Sequence, residues 1–550
     1  MKAYTLTLPL VFAAALDACG SASNDSLAGP RFDTDAGTQP RADVGSTGGA
    51  GFADGGLPRE TGETRSFQTP QGGARHVYVA NPARDHVEVI DAETLAISSV
   101  EAGDGPTYLA TVPNTDTALV LDVNAPTLAL LQTTATGTTS RSFDVVDGAN
   151  AIAIAPDAQH AVVFLDTAQP NQGVPAGSFQ EISVLDLRPG HESSLALSVG
   201  FRPTGVTFSG DGATGYVVTE DGVTILDFAA LTGPRLVPTV SFRDDAVTAD
   251  DAGVDGGAPH ISRDATVADV AVTRDGHLAL ARVDGTSLLR AVDLRTRVAQ
   301  TVDLGSEVTD LDVAPDGSFA VAALRSASRV VRIPLPDGLG DAAMRTVISL
   351  PGEVTGSVTL SPDGARALVY SSVAATDHAT LLDLAGTTAP SLLHLRKPVR
   401  AVAFAPDGRT ALVVHRHADG DAHAPGLDLA TQIDRSPGYS LLDCASRFSV
   451  LALTDTEVGP FMLVPDGSSA FVLLRDDARN IARAQRVSLA NFTVRDVLLG
   501  SPPVSVGAVS LSHRVFIGQD HPEGRITFVD WSTGTQQSVT GFELNSRIVE

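Results

Sequence analysis

Two cysteines in 550 residues, Cys19 and Cys444, cannot build a disulfide framework or a thiolate zinc site. Aromatic residues are only 5% of the chain, with a single tryptophan. A core must therefore be packed from Val, Leu, Ile and Ala, the side chains that close-packed strands accommodate. Basic residues are outnumbered: 38 Lys and Arg against 65 Asp and Glu leave a net charge of −27. With no basic surface to release counterions, nucleic acid is excluded as a partner class, and the acidity reads as solubility for a large exposed protein. The local signatures of common enzymes are also missing. There is no Gly-Xaa-Ser-Xaa-Gly elbow, no phosphate-cradling Gly-Lys-Ser/Thr loop and no His-Glu-Xaa-Xaa-His pair.

What is abundant is a repeated turn. Residues Val402 to Val414 (VAFAPDGRTALVV) read as a strand, a tight turn and a returning strand. Pro406 presets φ, Asp407 can accept hydrogen bonds from its own backbone, and Gly408 tolerates the positive φ of the turn. The punctuation recurs at Ala155–Asp157, Gly210–Gly212, Arg274–Gly276, Ala314–Gly317, Ser361–Gly364 and Val464–Gly467, with looser copies at Val112–Asn114 and Leu511–His513. Self-similarity of this kind is the mark of a repeat architecture. Taken as four antiparallel strands per unit, the pattern predicts second strands beginning near His76, Thr117, His160, Thr214, His277, Ser318, Arg366, Thr410, Ser469 and Arg514. Third strands finish at Asp91, Asp186, Asp227, Asp293, Asp383, Asp443 and Asp530. Aspartates at strand ends accept N–H groups of the following turn, so this series reads as scaffold rather than as a catalytic or metal ring. Cys444 follows one of them where sibling units carry Leu or Phe, and reads as a small buried hydrophobe.

The fold class that follows is all-β, a β-propeller of four-stranded antiparallel blades over residues 74–550, with about ten units. One large ring is the favoured arrangement, with two rings in series as the alternative. The first unit lacks a first strand of its own, and the tail Asn545–Glu550 is expected to supply it and close the ring.

The first unit, with HVYVAN at His76–Asn81 and HVEVID at His86–Asp91, resembles the YVTN-repeat β-propeller family. That resemblance implies the propeller. Related propellers include lactonase-like hydrolases and quinoprotein-type dehydrogenases, whose residues are scattered over blades and match no local motif here. Ahead of the repeats, Lys2 and the apolar run Ala3–Leu16 form an export signal too short to span a bilayer. The sequence Leu16-Asp17-Ala18-Cys19 resembles a bacterial lipobox, although Asp17 stands where a small uncharged residue is usual. The resemblance implies cleavage before Cys19 and lipid attachment to it, and Gly20 after it points to the outer membrane. Residues 20–73, rich in Gly, Ser, Thr, Asp and Pro, bury too little apolar surface to fold and read as a disordered tether.

In a four-stranded meander the Pro-Asp-Gly turns fall on one face of the ring. The loops between second and third strands share the opposite face with the blade-to-blade connections. The long insertions Thr167–Phe179, Arg243–Ser262 and Arg416–Gly438 fall on that second face, while Pro336–Ala343 belongs to the turn face. Binding residues concentrate on loops held by a rigid scaffold, so the insertion-bearing face is the candidate functional face. Its densest constellation is His415, His417, Asp419, Asp421 and His423, followed by Asp428 and Asp434. Paired imidazoles with carboxylates could hold a divalent metal, and a hydrophilic loop with scattered histidines is the alternative. No other cofactor is expected. The function read from the sequence is non-enzymatic: a monomeric, lipid-anchored envelope propeller binding a protein or glycan through this face. A propeller enzyme with its site at the central channel is the alternative.

Overall fold

The computed structural model describes residues 69–167, 178–243, 267–386, 388–542 and 548–549. These form ten antiparallel sheets, one per repeat unit, each following the last in chain order. We number them blades 1 to 10. Blade 8 shows how the sequence makes one. Its strands are Val399–Phe404, Thr410–His415, Gly438–Asp443 and Phe448–Leu453, hydrogen-bonded in chain order. Asp407 accepts the N–H groups of Arg409 (2.9 Å) and Thr410 (3.1 Å), and Gly408 sits at φ +62°, so the turn is fixed locally.

Second strands are buried on both sides, as in Val79, Val120, Val162, Val321, Val413 and Val472, because each blade is covered by the next. The buried apolar side chains fall into ten clusters, each shared by two consecutive blades. The remaining seam is the cluster that joins blade 10 to blade 1, through Val509, Phe516, Ile526 and Phe528 against Val77, Val79 and Ile90. Ten blades and ten seams make one closed ring. The alternative of two rings in series is thereby removed.

Closure does not use the tail. Blade 1 has its own first strand, Gln71–Gly72, paired to Val77 and Tyr78. The tail strand Ile548–Val549 instead pairs with Val539 and Thr540 on the outer edge of blade 10. The expectation that Asn545–Glu550 would complete blade 1 is corrected, because Gln71–Gly72 already take that place, with Pro70 and Gly72 packed against blade 10. A Cβ on Gly72 would lie 2.2 Å from the Ala508 carbonyl, leaving no room for a second strand there. The seam is also tied by Leu511 N–H to Ala74 O (3.0 Å) and Arg514 to Ala92 O (2.6 Å).

One more departure lies between blades 3 and 4. After its third strand, Gly222–Asp227, blade 4 sends Arg235–Leu236 to add in parallel to the edge of blade 3, then returns as its own short outer strand Thr239–Ser241. Among the described residues no helix is long and apolar enough to cross a membrane.

Candidate functional face

The two faces of the ring differ in what their polar side chains do. On the turn face the strand-end aspartates hold their own backbone, and two also carry an arginine, Asp186 with Arg188 (2.5 Å) and Asp443 with Arg409 (3.1 Å). Asp91 accepts from Glu93 (2.8 Å) and Thr94 (2.7 Å), Asp293 from Arg295 (2.9 Å) and Thr296 (2.8 Å), and Asp530 from Ser532 (2.9 Å) and Thr533 (2.7 Å). Asp186, Asp227, Asp383 and Asp443 do the same. Asp530 shows the consequence: burial opposes its charge, but the donated hydrogen bonds outweigh it and hold the carboxyl down at about 2. Cys444 is 3% exposed within the cluster between blades 7 and 8, and burial pushes its thiol up to about 12, so it is an inert core residue.

On the insertion-bearing face, charged side chains reach between neighbouring blades. Arg475 of blade 9 pairs with Asp477 (2.7 Å) and with Asp520 of blade 10 (2.9 Å). His378 of blade 7 meets Glu353 of the connection before it (2.6 Å) and Asp377 (3.2 Å). Arg202 joins Glu220 (2.5 Å) and Thr167 (2.9 Å) across blades 3 and 4. Exposed pairs of this kind contribute little stability, roughly 0–1 kcal/mol each. They do leave a face patterned with oriented charge.

The insertion of blade 8 is the best-built feature there. Residues Leu429–Arg435 form a helix whose N-cap Asp428 accepts from Thr431 (2.7 Å). Its C-terminal end is held from beneath by Lys397, which is fully buried. The ammonium donates to Ile433 O (2.6 Å) and Asp434 O (3.0 Å), the last-turn carbonyls that a helix leaves unpaired. Burial pulls the amine below its ordinary range, while Asp434 and Glu457 oppose that. Arg416 anchors the start of the insertion on Val373 O (3.1 Å) and Ala374 O (3.0 Å) of blade 7. Leu429, at the head of the helix, is 71% exposed.

The structure separates the residues of the metal constellation. His415 is 2% exposed, its Nδ1 beside Pro398 O (3.2 Å) and its Nε2 beside the Ser440 hydroxyl (2.7 Å). Burial drops its pKa to about 4. It is a hydrogen-bonded core histidine. His417 turns the other way, toward Ala418 O (3.0 Å) and the Glu457 carboxylate, which Arg400 also approaches at 4.0 Å. Asp421 is occupied with the backbone N–H of its neighbour His423 (2.8 Å), and Asp419 and His423 are exposed. Among the described residues no three His, Cys, Asp or Glu side chains gather where they could hold a metal ion. Cys19 and most of the insertions 167–179 and 243–262 lie outside the described residues.

Sequence reasoning missed Lys397, Arg400 and Glu457, and it missed two aspartates on the inner strand of blade 6, Asp310–Val313. Asp310 accepts from Leu311 (3.0 Å) and from Val358 of blade 7 (2.7 Å), while Asp312 accepts from Val313 (2.9 Å) and Leu360 of blade 7 (3.0 Å). Each carboxylate satisfies an edge N–H that the neighbouring inner strand, Ser357–Leu360, cannot pair within its own sheet. Burial pushes the two groups up to about 7 and about 6. The available signal was charge at positions where the sibling strand of blade 8 carries Ala401 and Ala403.

No family model matches the chain, and no curated protein does. Among solved structures it is similar to a eukaryotic initiation factor, at 10% identity and TM-score 0.46, over 79% of this chain and 96% of that one. It is similar to the dihydro-heme d1 dehydrogenase NirN in complex with DHE, at 14% identity and TM-score 0.40, over 65% and 70%. Kuenenia stuttgartiensis hydrazine synthase matches at 14% identity and TM-score 0.32, over 51% and 94%. Likenesses at this level say nothing of activity, and the ten-bladed ring stands on its own sheets and seams.

Proposed function

We propose that the protein is a lipid-anchored envelope propeller that binds a protein or glycan partner through its insertion-bearing face. On this reading the YVTN-like pattern of blade 1 marks kinship with that repeat family, Cys19 carries the lipid, and the leash runs from residue 20 to residue 68, ahead of the blade 1 strand Gln71–Gly72. The observation that carries the proposal is the division of labour between faces. The strand-end aspartates of the turn face are hydrogen-bonded by their own turns, even where Arg188 and Arg409 also pair with Asp186 and Asp443, whereas the other face presents ion pairs that cross from blade to blade and a capped helix with an exposed Leu429. A rigid ring presenting adaptable loops is a usual arrangement for recognition. The test is co-sedimentation of the soluble head, residues 69–550, with envelope fragments from the producing cell. The head is compared with a variant in which residues 417–436 are replaced by a short turn. Retention by the native head and its loss in the variant are expected; equal retention overturns the proposal.

A further inference from the structure

The turn face carries a cleft that its scaffold role does not explain. It lies between blades 9 and 10, has a volume of about 250 Å³, and is lined by Arg486, Ser488, Thr493, Arg495, Ser532 and Thr533. Two arginines and four hydroxyls line it, and no carboxylate does, in a chain of net charge −27.

The arginines are placed by register. Arg486, in the third strand Ile481–Ser488, is the direct partner of Arg495 in the outer strand Val494–Leu498. Directly opposed like charges in an antiparallel pair repel and cost stability. Ser488 lies two residues from Arg486 and Thr493 two residues from Arg495, so strand alternation puts all four on one sheet face. Ser488 N–H donates to Thr493 O (2.9 Å), keeping these two strands together as far as the cleft. The opposite wall is the turn after Asp530 in blade 10.

Arg486 is fixed against that wall. Its Nε donates to Trp531 O (3.0 Å), and its Nη2 to Trp531 O (2.7 Å) and Ser532 O (2.7 Å). Gly534, at φ +78°, leaves room for Nη1: a Cβ there would come within 3.1 Å of it. Arg495 is exposed, and among the described residues its side chain makes no hydrogen bond or ion pair. One guanidinium is thus held rigidly by backbone carbonyls, which leave its charge uncancelled, and a second faces it.

We infer that this cleft binds the phosphate group of a phosphorylated sugar. A phosphate dianion between Arg486 and Arg495 converts the cross-strand repulsion into two attractions, and guanidinium geometry matches its oxygens. The hydroxyls of Thr493, Ser532 and Thr533 donate to Asn491 (2.8 Å), Asp530 (2.7 Å) and Thr535 (3.0 Å), which leaves their oxygens to accept from sugar O–H groups, and the volume lies just below the ~300 Å³ at which drug-sized pockets begin. The site is on the face opposite the insertions, so it stands or falls separately from the partner-binding proposal.

The test is titration calorimetry on the full folded head at constant ionic strength, with glucose 6-phosphate, inorganic phosphate and glucose as separate probes. It uses the native protein and Arg495→Gln. Arg495→Gln removes an exposed side chain with no internal partner, so its melting temperature in chloride buffer should equal or exceed the native value, which confirms folding. Glucose 6-phosphate should bind the native head, and the variant should lose roughly tenfold or more in affinity. Inorganic phosphate binding as tightly as the sugar phosphate would retain the oxyanion site but overturn the sugar assignment. Binding by glucose alone, no binding by either phosphate, or equal affinity in the variant would overturn the proposal.

Discussion

Replacing Lys397 by Met tests how the functional face is held in place. The side chain is fully buried and nearly isosteric with Met, so packing is retained and only the ammonium is lost. Two charge-assisted hydrogen bonds disappear, to Ile433 O and Asp434 O. Each is worth roughly 1.5–3 kcal/mol. Against this, the cost of burying an ammonium, several kcal/mol in a real protein, is recovered. The helix carbonyls can also regain water by opening outward, since Asp434 is exposed and Ile433 half-buried. The balance is about 2 kcal/mol against the docked helix, or roughly thirtyfold in its local opening equilibrium. The loss should stay local, because the seams of blade 8 with blades 7 and 9 contain none of the helix residues. Hydrogen exchange resolved by segment is the assay. Amides of residues 429–436 should exchange roughly thirtyfold faster while strands Thr410–His415 and Gly438–Asp443 keep their protection. Unchanged exchange over 429–436 would refute the capping role of Lys397. Loss of protection across blade 8 would refute the independence of the insertion.

Three further outcomes follow from the fold. Deleting residues 548–550 removes only a two-residue strand at the outer edge of blade 10, so the melting point should fall by no more than about 1 kcal/mol implies; a collapse would restore the tail as the closing strand. Gly72→Val places side-chain atoms on the Ala508 carbonyl at the closing seam and should cost about 1–3 kcal/mol or more, read by urea unfolding; native stability would show that the seam is not packed as described. His415, held neutral with a pKa of about 4, binds no proton in the fold where the unfolded chain does, so its contribution falls as pH drops from about 6.5 toward 4. Asp310, raised to about 7, keeps a proton in the fold that the unfolded chain has released, so its contribution falls as pH rises from about 4 to 7. The two offset in the native protein. Relative to native, stability should decline more with rising pH in His415→Gln and climb more in Asp310→Asn; parallel slopes in all three would refute the assignment.

The scaffold was legible because its causes are local. A turn aspartate bonds N–H groups two or three residues away, so the strand ends at Asp91, Asp293 and Asp530 could be placed without knowing the ring. Cys444 could be read as core because its siblings are apolar. The second strands predicted at His277 and Ser318 begin one residue later, at Leu278 and Phe319, a difference at the level of fraying. What resisted reading depends on partners far along the chain. Blade 1 meets blade 10 through residues more than 400 apart, as Arg514 and Ala92 show at a separation of 422, and no pattern reports that contact. Lys397 has no meaning until the helix beginning at Leu429 folds over it. His415 and His417 alternate as a strand would have them, yet the strand ends at His415 and the chain turns away, leaving one imidazole in the core and the other beside Glu457.

The division between faces is most directly tested by site-specific photo-crosslinking in the producing cell. A photoreactive residue is placed at Leu429 on the insertion helix, 71% exposed, or at Val298, the first residue of the outer strand of blade 5 beside the turn face, 63% exposed. Similar exposure makes the two sites comparable as probes. A discrete crosslinked adduct from position 429, absent from position 298, is the predicted result. Adducts from 298 alone, or the same adduct from both positions, would contradict it.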